Sequence, residues 1–351
     1  MPSSYYNTDK GVSPKVRIAI LSTPRSGNTW LRHLLAKIYD AADLAVHNPV
    51  EVDWTNLPGD CVLQLHWRRT AEVECQLKDH GFRVVVMARH PLDVLVSILH
   101  FALHDGSTQR WLEGEGGTEE PICGAMPCSA AFLKYAAGPR AAALMAVSRQ
   151  WWNLPGAIKV HYESLVVDPI KMLARVVESV GWHARMPLAE AIAATTMPKL
   201  RTLTRCHHHF WRGQPGHWKH LLPADEANAI AAIHQPVFSE LGYVCDPDVN
   251  LDHNQADTNW IDLNRQELTD RLWSYVRDKE RHELTQAKVA ALEQERDQLT
   301  AALQSKQADL QRKHADVLAA IDDARRVRKA LTTNPTLRLV AALKRAIGVK
   351  V

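Results

Sequence analysis

The sequence contains no apolar run of the ~18 residues that a membrane-crossing helix needs, which excludes a helical span. Cysteine is scarce. The six (Cys61, Cys75, Cys123, Cys128, Cys206 and Cys245) are scattered without repeated Cys-x-x-Cys pairs. That scatter excludes a disulfide scaffold and reads as reduced thiols in a cytosolic protein, Cys123 and Cys128 being the pair closest to a metal or redox spacing. An excess of one charge is missing as well. Lys plus Arg number 42 against 39 for Asp plus Glu, and a formal charge of +3 does not by itself call for a nucleic-acid partner. Residues 1–15 are polar and lack an apolar core, the pattern of neither a signal peptide nor an anchor. Between Asn264 and Asn334 there is neither Gly nor Pro, so that stretch lacks the residues that break helices. What is present is ordinary for a globular chain: 351 residues, 46% apolar and 23% charged. Such a length fits two domains, or one α/β domain of roughly 250 residues with an appendage.

Short apolar runs alternate with helical patterns over the first two thirds. Residues 16–22 read as a buried strand, 24–28 as a turn, and 29–39 as a helix with Trp30, Leu34, Leu35 and Ile38 on one face. Further strands are expected at 61–65, ending at His66, at 83–88 and at 157–161, with helices at 92–103 and 169–180. Residues 104–127, rich in Gly, Glu and Pro, read as a long functional loop or lid. Strand–helix alternation with apolar strands predicts an α/β fold with a parallel sheet flanked by helices.

The expected division is an α/β domain over 1–255, a helical connection over 256–280, a coiled coil over 281–331 and a basic amphipathic tail helix over 332–351. Val289, Leu292, Leu299, Leu303, Leu310, Val317, Ala320, Ala324 and Val327 fall on a seven-residue seam, interrupted by Arg296, Lys306 and Lys313. This predicts a homo-oligomer through the coiled coil; a single solvated helix is the alternative. Asn334-Pro335 is an N-cap and first-turn signal, and Leu337, Val340, Leu343 and Ile347 share one face of the last helix. From Arg325 onward the chain carries Arg325, Arg326, Arg328, Lys329, Arg338, Lys344, Arg345 and Lys350 and no acid. A tail of that kind suits an anionic membrane surface or an acidic partner, or it closes the oligomer. The expected location is cytoplasmic, with peripheral contact at the inner face of the membrane and no nucleic-acid partner.

Thr23-Pro24-Arg25-Ser26-Gly27-Asn28-Thr29-Trp30 lies between a strand and a helix, where free N–H groups and the helix dipole favour an anion. It is not a Walker A loop: the first Gly and the Lys are absent. Read alone, it is equally a plain strand–helix turn. Arg89 stands at the carboxyl end of the strongest strand and Ser97 about two helical turns on. Arg25, His66 and Arg89 each follow a strand, and ligands gather beyond the carboxyl ends of parallel strands. Two anion sites on neighbouring strand ends imply a ligand with two separated phosphates.

Four segments in order resemble the sulfotransferase family, over roughly residues 16–245. Pro24-Arg25-Ser26-Gly27-Asn28-Thr29-Trp30 is similar to its 5′-phosphosulfate loop, Pro-Lys-Ser-Gly-Thr-Thr-Trp. Residues 89–101, Arg-His-Pro-Leu-Asp-Val-Leu-Val-Ser-Ile-Leu-His-Phe, resemble its 3′-phosphate segment. His161-Tyr162-Glu163-Ser164-Leu165 with Asp168-Pro169, and Arg212-Gly213-Gln214-Pro215-Gly216-His217-Trp218-Lys219, resemble the Tyr-Glu-x-Leu and Arg-Lys-Gly segments.

The resemblance implies a P-loop-like sulfotransferase fold and transfer of a sulfuryl group from 3′-phosphoadenosine 5′-phosphosulfate (PAPS) to an acceptor hydroxyl or amine, without a metal. It further implies that Arg25 contacts the oxygen bridging sulfur and phosphate, and that Ser26, Gly27, Asn28 and Thr29 cradle the 5′-phosphate. Trp30 and Tyr162 would lie at the adenine, Arg89 and Ser97 would hold the 3′-phosphate, and Arg212 and Gly213 would close over it. His66 would be the general base, a role that suits an imidazole near neutral pH; a satisfied core histidine is the other reading. Three features depart from the family: Arg25 for Lys, Trp211 for Arg, and the pair Gln64 and Trp67 where Lys and Leu-Pro are common beside the His. Arg68 and Arg69 could meet an acidic acceptor or be a solvated pair. Cys206-His207-His208-His209, with His217 and His220, matches no common zinc spacing. The basic tail and coiled coil suggest a glycan or glycolipid acceptor. A P-loop kinase and a nucleotide-binding scaffold working through its coiled coil are the rival readings.

Overall fold

A computed structural model describes residues 15–104, 106–203 and 210–346. Five strands, β1 (Arg17–Leu21), β2 (Ala42–Val46), β3 (Cys61–Leu65), β4 (Arg83–Ala88) and β5 (Ile158–His161), form one sheet in the order β2-β3-β1-β4-β5. All four pairings are parallel. Ile18, Ala19, Ile20 and Leu21 of β1 and all of β3 are buried, as expected of strands covered on both faces. From β1 the chain runs to the edge strand β2, returns to β3 beside β1, and then crosses to β4 and β5 on the other side. The carboxyl end of β1 is thus the switch point of the sheet, where a crevice opens.

Helices α1 (Asn28–Tyr39), α2 (Ala71–Asp79), α3 (Pro91–Ala102), α4 (Ala130–Ala136) and α5 (Pro139–Trp152) occupy the first half of the chain. After β5 come α6 (Tyr162–Val167), α7 (Pro169–Val180), α8 (Leu188–Ala194), α9 (Met197–Leu203), α10 (Ala224–Ile233) and α11 (Gln235–Leu241). Leu31, Leu34, Leu35 and Ile38 of α1 pack with Leu173, Val176 and Val180 of α7 in one core beside β1, β4 and β5. Every residue of α3 is buried, which suits its largely apolar sequence, with Asp93, Ser97 and His100 as the polar exceptions.

Residues 104–127 are less loop-like than their composition suggests. Their described part contains 3₁₀ turns over Gly106–Gly114, kinked at Trp111, Leu112 and Glu113, and over Glu120–Ile122, with Trp111, Leu112 and Ile122 buried. Arg140, in the first turn of α5, pairs with Glu119 at 2.7 Å, their side chains 3% and 1% exposed. It also donates to the carbonyls of Thr108, Trp111 and Glu115, so one guanidinium ties down the segment that lacks a ladder of its own.

The structure divides into one compact unit ending at Asn264 and a second beginning at Arg265. The helix α12 (His253–Thr333) begins in the first and is unbroken over residues 256–280. In the second unit α12 continues to Thr333, and α13 (Pro335–Ala346) starts with Pro335 at its first turn. Val289, Leu292, Leu299, Leu303, Leu310, Val317 and Val327 are exposed along α12, and Leu339, Val340 and Leu343 along α13. Ile347 and Lys350 of the tail lie outside the described residues. Among the described residues, no helix is long and apolar enough to cross a membrane. Cys61, Cys75, Cys128 and Cys245 are free thiols.

Candidate functional site

At the end of β1 the chain turns into α1 through a loop with few degrees of freedom. The Thr23 amide donates to Ser148 Oγ and the Thr23 hydroxyl to the Leu144 carbonyl, both at 2.8 Å. Asn28 closes the loop on itself, its Nδ2 donating to the Thr23 carbonyl at 2.9 Å while its Oδ1 accepts from the Ser22 hydroxyl. Gly27 has φ 97°, and a Cβ built on it would stand 2.4 Å from Cδ2 of Tyr162. No other residue fits there, since the backbone and a buried aromatic ring share that space. Leu31 is the first residue whose amide bonds back, to the Gly27 carbonyl, so the amides of Asn28, Thr29 and Trp30 lie before the helical ladder starts. The Ser26 hydroxyl is buried and has no protein partner.

Arg89 follows β4. Its guanidinium donates to the Arg25 carbonyl at 3.2 Å and the Gln214 carbonyl at 3.4 Å, lies 4.8 Å over the Tyr162 ring, and leaves its buried Nε–H without a partner. Ser97, two turns into α3, accepts from Arg25 Nε at 3.2 Å, and the Arg25 guanidinium lies 4.4 Å over Phe101. The two groups assigned from sequence to opposite ends of a ligand, Arg25 and Ser97, are therefore in contact here. Trp30 meets Tyr162 edge-on at 6.4 Å, and the Tyr162 hydroxyl donates to the Gly213 carbonyl at 2.6 Å. A cavity of about 330 Å³ gathers all the residues singled out from sequence except Ser26: Arg25, Gly27, Asn28, Thr29, Trp30, His66, Arg89, Ser97, Tyr162, Arg212 and Gly213.

His66, one residue past β3, is 6% exposed. Its Nδ1–H donates to the Ser22 carbonyl at 2.9 Å, which fixes the tautomer and leaves Nε2 as the acceptor. The Gln64 amide donates to that Nε2 at 2.9 Å, and Gln64 Oε1 accepts from Arg32, itself paired with Asp43. Burial, aided by nearby His47, Arg32 and Arg25, lowers the imidazole's pKa from 6.5 to about 4, against the opposing pull of the Ser22 carbonyl. Near neutral pH His66 is an uncharged base with one directed lone pair.

Several residues here were not singled out from sequence. Gln64 and Arg32 form the chain that reaches His66. Asp93 accepts from the Gly216 amide at 2.6 Å and the Trp218 amide at 3.2 Å, docking that loop on α3. Arg201 donates to the carbonyls of Phe210 and Trp211. Asp93 had a signal, its place inside the Arg89–Ser97 segment, and Gln64 stood out only as a departure beside His66; Arg32 and Arg201 had none. Arg68 and Arg69, considered for an acidic acceptor, are paired with Glu115 and Glu74. Cys206, His207, His208 and His209 lie outside the described residues. Among those described, no group of three His, Cys, Asp or Glu could hold a metal ion.

The arrangement can bind an anionic ligand between strand ends β1 and β4 and present a neutral imidazole from the end of β3. The sulfotransferase domain profile matches residues 15–242 of this chain. No curated protein sequence matches it. Among solved structures, mouse sulfotransferase SULT7A1 complexed with PAP is 17% identical with a TM-score of 0.48, over 64% of this chain and 84% of that one. Retinol dehydratase in complex with androsterone and inactive cofactor PAP is 13% identical with a TM-score of 0.39, over 65% and 82%. A second retinol dehydratase structure, with retinol and PAP, is 13% identical with a TM-score of 0.39, over 69% and 84%.

Proposed function

We propose, for a chain that belongs to the sulfotransferase family, that its sulfuryl donor is PAPS and that its acceptor is a hydroxyl. The observation that carries the reading is the single cavity in which Arg25, Arg89 and His66 converge from the ends of β1, β4 and β3. The residues present suit a nucleotide with 3′- and 5′-phosphate groups. The buried Ser26 hydroxyl and Arg89 Nε–H each have an unmet donor, and Gly27 keeps the backbone bare where a side chain would intrude.

In this reading Ser26, Gly27, Asn28 and Thr29 hold the 5′-phosphate with the start of α1, while Arg89 and Ser97 hold the 3′-phosphate. Trp30 and Tyr162 flank the adenine, and Arg212 and Gly213 close the site. PAPS supplies a sulfuryl group on a phosphate leaving group that needs charge stabilisation rather than a proton. Arg25 provides that stabilisation from a fixed position, an effect of about 3 kcal/mol for one donor in comparable sites. His66 accepts the proton of the acceptor hydroxyl at Nε2, after the Gln64 amide gives up that lone pair. The cations of the site come from the protein, so no metal has a part in the scheme.

The acceptor we propose is a carbohydrate or glycolipid. Its support is the basic α13, with Arg338, Lys344 and Arg345 beside exposed Leu339, Val340 and Leu343, which suits an anionic membrane surface at the cytoplasmic face. The exposed heptad seam of α12 supports a homo-oligomer.

Calorimetric titration with 3′-phosphoadenosine 5′-phosphate (PAP) tests the donor site, with ADP plus Mg²⁺ as the comparison and Arg89→Ala as the control. Metal-free binding that needs both the 3′-phosphate and Arg89 is expected. A preference for ADP with Mg²⁺ would favour a kinase, and binding without turnover on any acceptor would favour a scaffold.

A further inference from the structure

The family match ends at residue 242, yet residues beyond it reach the loop that carries Arg212 and Gly213. Residues 210–214 have no regular secondary structure, so side-chain anchors must set their shape. Arg201 and Tyr162 hold three of the carbonyls, those of Phe210, Trp211 and Gly213. Arg89 holds a fourth, that of Gln214, and further anchors come from the opening turns of α12. Trp211 Nε1–H donates to Asn264 Oδ1 at 3.1 Å, and Asn264 Nδ2 donates to the Trp260 carbonyl at 2.8 Å, which orients the amide. Asn264 is 0% and Trp260 1% exposed. The Trp211 ring is clamped from two directions, stacked on His100 of α3 at 4.6 Å and edge-on to Trp260 at 5.8 Å. Next to it, Arg212 donates to the Leu263 carbonyl.

Burial of Trp211 against apolar neighbours would need only shape. A fully buried amide with its acceptor on an indole and its donor on a carbonyl adds direction, because either group left unmet is costly. The clamp also joins the helix that bears Ser97 to the loop that bears Arg212. We infer that Trp260 and Asn264 are positioning residues of the nucleotide site, holding Trp211 so that Arg212 and Gly213 face the 3′-phosphate. The inference rests on the PAPS reading above. It gives the departure at Trp211 a purpose: the indole supplies no charge to the phosphate, but it locks the loop whose next residue does.

The test uses the full chain with Asn264→Ala, Trp211→Phe and the double variant, each titrated calorimetrically with PAP and with 5′-AMP, which lacks the 3′-phosphate. Each single variant is expected to bind PAP about tenfold more weakly, as for loss of one directed buried hydrogen bond. AMP affinity should change less than twofold, and the double variant should be no worse than the singles. A destabilised fold would weaken both ligands alike. Trp211→Phe keeps the ring and removes only the N–H, so it retains the test if Asn264→Ala does not fold. Unchanged PAP affinity in either variant, equal loss of PAP and AMP, or additive losses in the double would overturn the inference. If the unsubstituted chain itself fails to bind PAP, the donor reading falls and this inference with it.

Discussion

The most exacting consequence of the site concerns the proton on His66. Burial takes its pKa from an ordinary 6.5 to about 4, so between those values the folded protein resists a proton that the unfolded chain accepts. The sign follows directly. Stability contributed by the neutral imidazole is full above pH 6.5 and is lost as pH falls toward 4. From the two pKa values, the loss between pH 7.5 and 5 is about 2 kcal/mol, approaching about 3 kcal/mol below pH 4. At pH 5.5 about 3% of the folded molecules should carry the proton, against about 90% for an ordinary histidine. Proton–nitrogen NMR of histidine-labelled protein reads this without an acceptor, the His66 signal being the one lost in His66→Asn. The Nδ1–H to Ser22 carbonyl bond further predicts a protonated Nδ1 and a bare Nε2 at pH 7. Urea unfolding of the protein and of His66→Asn at pH 7.5 and 5 gives the energetic half, as the difference between their pH dependences. A His66 midpoint between pH 6 and 7, or equal pH dependences, would refute the reasoning.

Two further predictions concern other parts of the chain. Arg140→Met leaves the 1%-exposed Glu119 without its cation and should cost about 3–5 kcal/mol in urea unfolding. Adding Glu119→Leu should recover at least half; no recovery would mean that the carbonyl bonds, not the ion pair, hold the segment. Leu303→Glu with Leu310→Glu puts two charges on the exposed seam of α12 and should halve or further reduce the mass in sedimentation equilibrium. An unchanged mass would remove the seam as the site of association.

The sheet was legible where burial was symmetric. The strands at the ends of which Arg25, His66 and Arg89 stand are apolar runs covered on both faces, and their bounds in the structure agree with the sequence within one residue. Edge strand β2 escaped notice because Ala42–Val46 alternates between half-buried and exposed and carries Asp43, a residue disfavoured in strands. The candidate site was legible where its cavity-lining residues lie in contiguous segments, as in residues 23–30 and 89–97. It was not legible where contacts join distant positions. Nothing in the sequence around Gln64 says that Arg32 will turn its amide toward His66, since that depends on the register of β3 beside α1. Asn264 lies at the edge of a polar helix and becomes buried only because the Trp211 loop folds onto it. The Gly-, Glu- and Pro-rich composition of 104–127 suggested a long loop or lid, and Arg140, 13 residues past its end, bonds to the carbonyls of Thr108, Trp111 and Glu115 within it.

The charges of the cavity link the proposed base to the proposed anion site. Arg25, Arg32, Arg89 and Arg212 line it, and no carboxylate does among the described residues. Arg32 pairs with Asp43; Arg89 and Arg212 donate to backbone carbonyls and Arg25 to the Ser97 hydroxyl. A cavity lined by four guanidinium groups and no carboxylate among the described residues favours an anion, in keeping with the proposed nucleotide. The same guanidinium groups, Arg25 and Arg32, oppose a proton on His66. Binding a multiply charged anion among them must weaken that opposition, and by linkage the imidazole becomes a stronger base when the nucleotide is in place. The imidazole titration repeated with saturating PAP therefore should move the His66 midpoint upward from about 4. A midpoint unmoved by PAP would mean that burial alone sets the proton affinity, and that anion and base do not share a field.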